Sequence, residues 1–180
     1  YKGSSTGADY VMARYVPNVD WSLAEKARAD VVVVVDTSAA GDESTHAIKT
    51  AMAEALLRAL GKEDRFALVS LDVSPKVLFP AKGLAKADSK SVAAALEALA
   101  DHGTGGATDL SASFDVALAR THEATQPAIV YIGDGVATSG ALTGEQLVER
   151  LRRSLSTSRA RLFTVAVGPH ADHALLSELA

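Results

Sequence analysis

Asp36 and Ser38 stand where polar chemistry is expected in an α/β protein. They follow residues 31–35, a run of five valines that predicts a strand buried on both faces of a parallel sheet. Ligands of open α/β sheets bind beyond the carboxyl ends of such strands. The two side chains could therefore belong to a ligand site, or they could only cap the next helix, and the residues alone leave both interpretations open.

Two later segments carry oxygen-bearing side chains of the same kind. Thr108 and Asp109 end a glycine-rich stretch, and Asp134 follows the apolar residues 128–132. If the strands ending at 35 and 132 are neighbours, all these segments meet Asp36 at one end of the sheet. Carboxylates and hydroxyls without histidine or cysteine form a hard oxygen site, which suits Mg²⁺, Mn²⁺ or Ca²⁺ and not Zn²⁺.

The apolar pattern predicts the strands and helices that position these residues. Strands are predicted at 31–35, 66–71, 76–79, 128–132 and 162–167, with helices between them and after the last. The turn before residue 76 is too short to cross a sheet, so the strands on either side of it must be antiparallel. We therefore expect an α/β, doubly wound fold with a mostly parallel sheet, one antiparallel edge strand and helices on both faces.

The first helix has the clearest predicted boundaries. Asp42 or Ser44 can cap its start and Gly61 can end it. Its predicted inner face consists of Ile48, Met52, Ala55, Leu56 and Ala59. Later helices have predicted inner faces of the same kind: Val92, Leu96 and Leu99; Leu110, Phe114, Ala117 and Leu118; and Leu147, Leu151 and Leu155.

Composition limits the possible functions. The 180 residues suffice for one ordinary domain with a short appendage. The net charge is −4 and no basic block occurs, which argues against nucleic-acid binding. Cysteine is absent, so disulfides and thiolate metal sites are excluded. No apolar run approaches the roughly 18 residues that a transmembrane helix needs. The chain begins at Tyr1 without methionine, and we expect it to be a fragment.

Three of these segments resemble the three loops of a von Willebrand factor type A domain. They are residues 36–40 (Asp-Thr-Ser-Ala-Ala), 105–108 (Gly-Gly-Ala-Thr) and 133–135 (Gly-Asp-Gly). The resemblance covers about residues 29–180 in order and spacing. In that family the loops form a metal-ion-dependent adhesion site (MIDAS), so the resemblance implies a protein-binding domain that catalyses nothing.

The resemblance also implies a role for each site residue. Ser38 and Thr108 would give oxygens directly to Mg²⁺, or to Mn²⁺ or Ca²⁺, while Asp36 and Asp134 would act largely through water. An Asp or Glu carboxylate from a protein partner would complete the octahedron, because Mg²⁺ keeps water-filled positions that a new ligand can take.

One position departs from the family pattern, Asp-x-Ser-x-Ser. Ala40 stands where the second serine belongs, and Gly41 stands where the family has methionine. One hydroxyl ligand is lost, so we expect a lower cation affinity even if water takes its place. A structural scaffold domain with no bound metal is therefore the main alternative function.

Resemblance also suggests how the chain is organised. Residues 9–15 look like the end of the β-rich VIT domain of inter-alpha-trypsin-type proteins, so we assign 1–28 to the tail of an upstream β domain plus a linker, and 29–180 to the type A domain. The family continues with a further strand and helix, so we expect another chain segment or subunit to complete the edge at 162–167. By analogy alone, a secreted or surface-attached protein is favoured.

Phosphatases of the haloacid dehalogenase type are the main enzymatic alternative. They also have an apolar strand ending in an aspartate, here Asp36, and a later Gly-Asp, here at 133–134. Asp36 would be the nucleophile and Mg²⁺ would stabilise charge. However, Ser38 stands at the position of their second aspartate, so this alternative is weaker.

Overall fold

Eight strands and five α-helices form the part of the chain that the structure describes. The computed structural model describes residues 2–5, 8–11, 28–39, 42–125, 127–140, 142 and 144–180. The strands are β1 (Lys2–Ser5), β2 (Ala8–Val11), β3 (Asp30–Asp36), β4 (Arg65–Leu71), β5 (Lys76–Phe79), β6 (Ala85–Lys86), β7 (Pro127–Gly133) and β8 (Arg161–Ala166). The α-helices are α1 (Glu43–Ala59), α2 (Ser89–His102), α3 (Leu110–Ala119), α4 (Gly144–Ser158) and α5 (His173–Leu179), and a 3₁₀ turn follows α3 at Arg120–Glu123.

The main sheet has the strand order β5-β4-β3-β7-β8, which places the valine strand β3 at its centre. β3 pairs in parallel with both β4 and β7, and β7 pairs in parallel with β8. Val35 lies opposite Ile132, so the strands ending there are neighbours, as the site prediction required. β5 is the predicted antiparallel edge strand, and the two-residue β6, which the sequence did not predict, extends that edge along β4.

The five valines of β3 face two separate hydrophobic cores. Val32 and Val34 pack with residues of α3, α4 and α5, whereas Val31, Val33 and Val35 pack with residues of α1 and α2. Helices therefore cover both faces of the sheet. The predicted doubly wound α/β architecture is confirmed, and the reason is that β-branched residues on both faces of one strand require an apolar layer on each side.

The inner face of α1 differs from the prediction. Ile48 and Met52 are 50% and 40% exposed, and the buried residues of this helix are Lys49, Ala53 and Leu57. Ala55 and Ala59 are also exposed, and Leu56 is only partly buried. The helix is thus turned so that Ile48 and Met52 point away from the core, whereas Leu56 still packs against its edge. The same orientation of the helix buries Lys49.

Residues before the main sheet form a small antiparallel hairpin from β1 and β2. This hairpin lies in the segment that we assigned to the tail of an upstream β domain. Of residues 9–15, which resemble the end of a VIT domain, 9–11 belong to β2, and the remainder lies outside the described residues. Assignment of residues 1–28 to an upstream domain and linker stays a prediction.

β8 lies at an open edge of the sheet. It pairs with β7, and no other described strand pairs with its outer side. Phe163, on the α1 side of this strand, is 51% exposed. None of the described helices combines the length and apolarity that crossing a lipid bilayer requires.

Asp30 anchors the amino end of β3 and is almost fully buried. Arg65 donates two hydrogen bonds to its carboxylate, from Nε to Oδ1 at 2.8 Å and from Nη2 to Oδ2 at 2.9 Å. The Thr125 N–H donates to Oδ2 at 3.0 Å. Burial raises the pKa of Asp30, but these hydrogen bonds and the charges of Arg65 and Arg28 outweigh it, so the pKa of Asp30 is lowered.

We expect Asp30→Ala to reduce the free energy of unfolding by about 3 kcal/mol, because it removes one partner of a buried ion pair. Since the folded-state pKa of Asp30 is lowered, its contribution should be present above a pH of about 4 and be lost as the pH falls through the folded pKa. Urea unfolding at neutral and acid pH measures both effects. Glu63→Ala, which breaks the exposed Lys86–Glu63 pair, is the control and should cost less than about 1 kcal/mol.

Candidate metal centre

Asp36 ends β3 inside the protein, with no solvent exposure. Its Oδ1 accepts a hydrogen bond from the Ser38 N–H at 2.9 Å, which turns the chain sharply at the strand end. The next helix is capped instead by Asp42, whose Oδ1 accepts from the Thr45 N–H at 2.8 Å. Helix capping therefore does not account for Asp36 and Ser38.

The glycine-rich loop is bound to this strand end by backbone hydrogen bonds. The Gly105 N–H donates to the Thr37 carbonyl at 3.0 Å, and the Ala39 N–H donates to the Gly106 carbonyl at 3.1 Å. Gly106 has a φ of +75°, a left-handed conformation that a residue with a side chain rarely adopts. Glycine here allows the two loops to exchange hydrogen bonds at close range.

Thr108 lies in the same loop and is fully buried. Its N–H donates to Thr138 Oγ1 at 2.8 Å, and its carbonyl accepts from the N–H groups of Thr138 and Ser139, both at 3.1 Å. These contacts leave the side-chain hydroxyl of Thr108 without a protein partner. Asp109, by contrast, caps α3, because its Oδ1 accepts a hydrogen bond from the Ala112 N–H at 3.0 Å.

The third loop follows β7 and also lies against Asp36. A Cβ at Gly133 would stand 2.6 Å from the Cβ of Asp36, so only glycine lets this strand end lie so close. The Asp134 Oδ1 accepts from the Val136 N–H at 2.8 Å. The Gly135 N–H donates to the buried Tyr131 hydroxyl at 2.9 Å, which fixes the loop to the core. All four predicted ligands therefore belong to segments that meet at one end of the sheet.

Lys49 is the residue that the sequence interpretation missed. Its side chain is 1% exposed, and its Nζ lies 3.2 Å from Asp36 Oδ2. A buried carboxylate needs a compensating charge, and α1 supplies one here. The available signal was the four-residue spacing of Lys49, Ala53 and Leu57, which defines a second candidate inner face of the helix beside the one we chose.

Burial and the charges of Asp36 and Lys49 shift the pKa values of the titratable groups around the site. Burial and the negative charge of Asp36 raise the pKa of Asp134, although the Val136 hydrogen bond and Lys49 oppose the shift. Burial and the charge of Lys49 lower the pKa of His46, which lies one turn earlier on α1. Burial, with Asp36 and Asp134, holds the pKa of Tyr131 well above its usual value. The site thus carries an excess of negative charge in a poorly hydrated place.

Two buried hydroxyls of the predicted ligands, Ser38 Oγ and Thr108 Oγ1, have no hydrogen-bond partner, and the buried Asp36 Oδ2 is contacted by the ammonium of Lys49 at 3.2 Å. Leaving a buried polar atom unpaired costs about 1–3 kcal/mol, so such a group of oxygens indicates an absent ligand. Hydroxyl and carboxylate oxygens fit a hard divalent cation. No cluster of three or more His, Asp or Glu able to hold a metal occurs among the described residues, so a cation here would depend on the hydroxyls.

The position that departs from the family pattern has no structural account. Ala40 and Gly41 lie outside the described residues. The loss of a hydroxyl ligand at position 40 therefore remains an expectation from the sequence.

Comparison with known proteins gives a match to a family and to solved structures. The model of a family described as von Willebrand factor type A domain matches residues 29–180. A search of curated proteins finds no significant match. A structure described as von Willebrand factor type A from Catenulispora acidiphila has 21% identity and a TM-score of 0.75, and the match covers 86% of this chain and 36% of that one.

Two further solved structures carry metals in their descriptions. Manganese-loaded TRAP protein from Plasmodium vivax has 16% identity and a TM-score of 0.67, with 85% of this chain and 62% of that chain covered. Proximal thread matrix protein 1 from the mussel byssus, with a zinc-occupied MIDAS motif, has 14% identity and a TM-score of 0.65, with 85% and 41% covered. At such identities the likeness shows the fold, and the chain spans less than two thirds of each of these proteins.

We expect Asp134→Asn to raise the melting temperature of the metal-free chain by a few degrees. Because the pKa of Asp134 is raised in the folded state, its ionisation opposes folding, and stability should fall as the pH rises from about 4 through the folded pKa. Asparagine removes the half-buried negative charge, and with it the repulsion from Asp36, and keeps the size of the side chain. Thermal melting in EDTA at neutral pH measures the effect.

The control for this prediction is Asp101→Asn, at an exposed position near the end of α2, which makes the same change in net charge. An Asp134→Asn chain that melts no higher than this control would show that the ionised carboxylate of Asp134 does not oppose folding.

Proposed function

Because the chain belongs to the von Willebrand factor type A domain family, we propose that it is a protein-interaction module whose partner binds at the carboxyl end of the sheet through a divalent cation. Domains of this family are generally non-enzymatic adhesion or protein-interaction modules, some of which bind metals. We therefore propose no reaction, and the partner would be a protein that offers an Asp or Glu carboxylate.

The observation that carries this proposal is the pair of unpartnered buried hydroxyls on Ser38 and Thr108, which lie in loops that meet beside the buried carboxylate of Asp36. Ser38 and Thr108 would bind the cation directly through their hydroxyls, and Asp36 and Asp134 would hold water molecules around it. When bound, the cation would supply an open coordination position for the carboxylate of the partner. The hydrogen bonds between the loops hold the two hydroxyls in place before any ligand arrives.

The choice of cation follows from the donor atoms of the site. Mg²⁺ is our first choice, with Mn²⁺ and Ca²⁺ as alternatives, because the donors are all oxygens. The P. vivax protein is manganese-loaded and the mussel protein has zinc in its MIDAS motif, which supports a divalent cation in a site of this kind. The zinc example also means that an all-oxygen donor set is not a sufficient reason to leave zinc untested.

A metal-free scaffold domain is the second candidate function, and one observation favours it. Lys49 already neutralises Asp36, so the folded chain does not need a cation to balance that charge. Ala40 also takes the place of a serine whose hydroxyl would bind the metal directly. In this case the loops would serve as a protein-binding surface without a metal.

We expect Mn²⁺ to raise the melting temperature of the chain in proportion to the logarithm of its concentration above Kd, because a ligand that binds only the folded state stabilises it. EDTA should reverse the shift. Ser38→Ala and Thr108→Val should each reduce it strongly, since each removes a hydroxyl ligand. Ser156→Ala, at an exposed position on α4, should leave it unchanged. Titrations with Mg²⁺, Ca²⁺ and Zn²⁺ identify the preferred cation.

Absence of any shift with all four cations would exclude the cation from the proposed function and favour the scaffold alternative. A shift that persists in both hydroxyl variants would place the cation elsewhere on the molecule.

The open edge of β8 is a second place where we propose that polypeptide binds. A strand from another subunit, or from a further segment of a longer chain, would pair there by adding to the sheet. Phe163, which is 51% exposed beside this edge, would then be covered. An unpaired apolar edge of this kind favours association between molecules.

The 180-residue chain should therefore associate as its concentration rises, and Phe163→Lys should weaken this association. Sedimentation velocity over a range of concentrations measures it. Val73→Lys, at a similarly exposed apolar residue away from β8, is the control. A wild-type chain that stays monomeric throughout would contradict the proposal for this edge.

A further inference from the structure

Lys49 occupies a position that helices usually give to an apolar residue. It shares the inner face of α1 with Ala53 and Leu57, and its side chain is 1% exposed. Removing an ammonium group from water carries a large free-energy penalty unless a negative charge lies beside it. A helix orientation that buries the neighbouring Ile48 in place of Lys49 would avoid this penalty, because isoleucine is apolar.

The ammonium lies against the carboxylate oxygen that the predicted site would use. Asp36 Oδ1 accepts a hydrogen bond from the Ser38 N–H, and Asp36 Oδ2 lies 3.2 Å from Lys49 Nζ, its ion-pair partner. The charge of Lys49 also reaches Asp134, where it opposes the effect of Asp36. Lys49 therefore interacts with both carboxylates of the candidate site.

The contact differs from an ordinary structural ion pair because it leaves the surrounding oxygens unsatisfied. At the other end of β3, every oxygen of the Asp30 carboxylate accepts a hydrogen bond. Around Asp36, the hydroxyls of Ser38 and Thr108 have no hydrogen-bond partner, although Lys49 balances the negative charge of Asp36. Lys49 thus supplies the charge that the site needs but not the ligand that its oxygens need.

We infer that Lys49 is a resident counter-charge that keeps the site assembled without a metal and competes with a divalent cation for Asp36. This inference rests on the proposed function, since competition requires a cation that binds. Like charges a few ångströms apart inside a protein repel each other, so Lys49 should weaken cation binding by about tenfold or more. When no metal is bound, Lys49 stabilises the folded chain by pairing with the buried carboxylate of Asp36.

The test compares the wild-type chain with Lys49→Met, in which an unbranched neutral side chain replaces lysine. Mn²⁺ binding is measured by electron paramagnetic resonance, and melting temperatures are measured in EDTA and in saturating Mn²⁺. Lys62→Met, at an exposed lysine before β4, makes the same change in net charge and is the control. We expect Lys49→Met to bind Mn²⁺ about tenfold or more tightly than the other two chains. It should also melt lower than both in EDTA and recover most of that loss in Mn²⁺.

A folded Lys49→Met chain with the wild-type Mn²⁺ affinity would overturn the inference but leave the proposed function intact, because the wild type binds. Binding by Lys49→Met alone would support the inference and remove the cation from the function of the wild type. If neither chain binds Mn²⁺, both the inference and the proposed cation fail. If Lys49→Met folds only with Mn²⁺, the inference is supported, and if it does not fold at all, Lys49→Gln takes its place in the same measurements.

A double-mutant cycle in EDTA separates the role of Lys49 at Asp36 from its packing. Asp36→Asn, Lys49→Met and the double variant are unfolded with urea. If Lys49 acts through Asp36, the double variant should lose clearly less stability than the sum of the two single variants. Additive losses would mean that Lys49 acts only by filling space, which would overturn the inference.

Discussion

The buried ion pair between Asp36 and Lys49 is the interaction on which the candidate site depends. Asp36 ends the central strand in a place that water does not reach, so its negative charge requires a positive partner inside the protein. Helix α1 supplies that partner and is oriented accordingly, with Lys49 toward the sheet and Ile48 and Met52 toward solvent. The pair thus fixes both the charge of the site and the rotation of the helix beside it.

The two ends of β3 show how the same residue type serves stability at one place and binding at another. Asp30, at the amino end, has its carboxylate oxygens satisfied by Arg65 and Thr125 and therefore only holds the fold together. Asp36, at the carboxyl end, has one carboxylate oxygen paired with Lys49 and lies near two unpartnered hydroxyls. The difference arises because the carboxyl ends of parallel strands open into loops, whereas Asp30 meets the strand and loop that flank it.

The loops of the site are held by the backbone, which leaves their side chains for other roles. Hydrogen bonds between Thr37 and Gly105, and between Ala39 and Gly106, join two loops, and Gly133 lets the third lie against Asp36. Membership of the type A domain family supports our proposal that a protein binds at these loops. Ala40, in place of the second serine of the family pattern, and Lys49, which pairs with Asp36, are the two features that we expect to reduce cation affinity.

The sequence by itself determined which segments form the strands around the site, and most of the helix faces, whereas the pairing of β3 with β7 was decided by the tertiary structure. Five valines can be buried only in a central strand, so β3 and the residues after it were predictable from local pattern. The face of α1 was not, since alanines lie on several sides of this helix and give it two possible apolar faces. Only the tertiary structure decided between them, because the deciding interaction joins Lys49 to Asp36, a residue on another element, and local periodicity contains no information about such a contact.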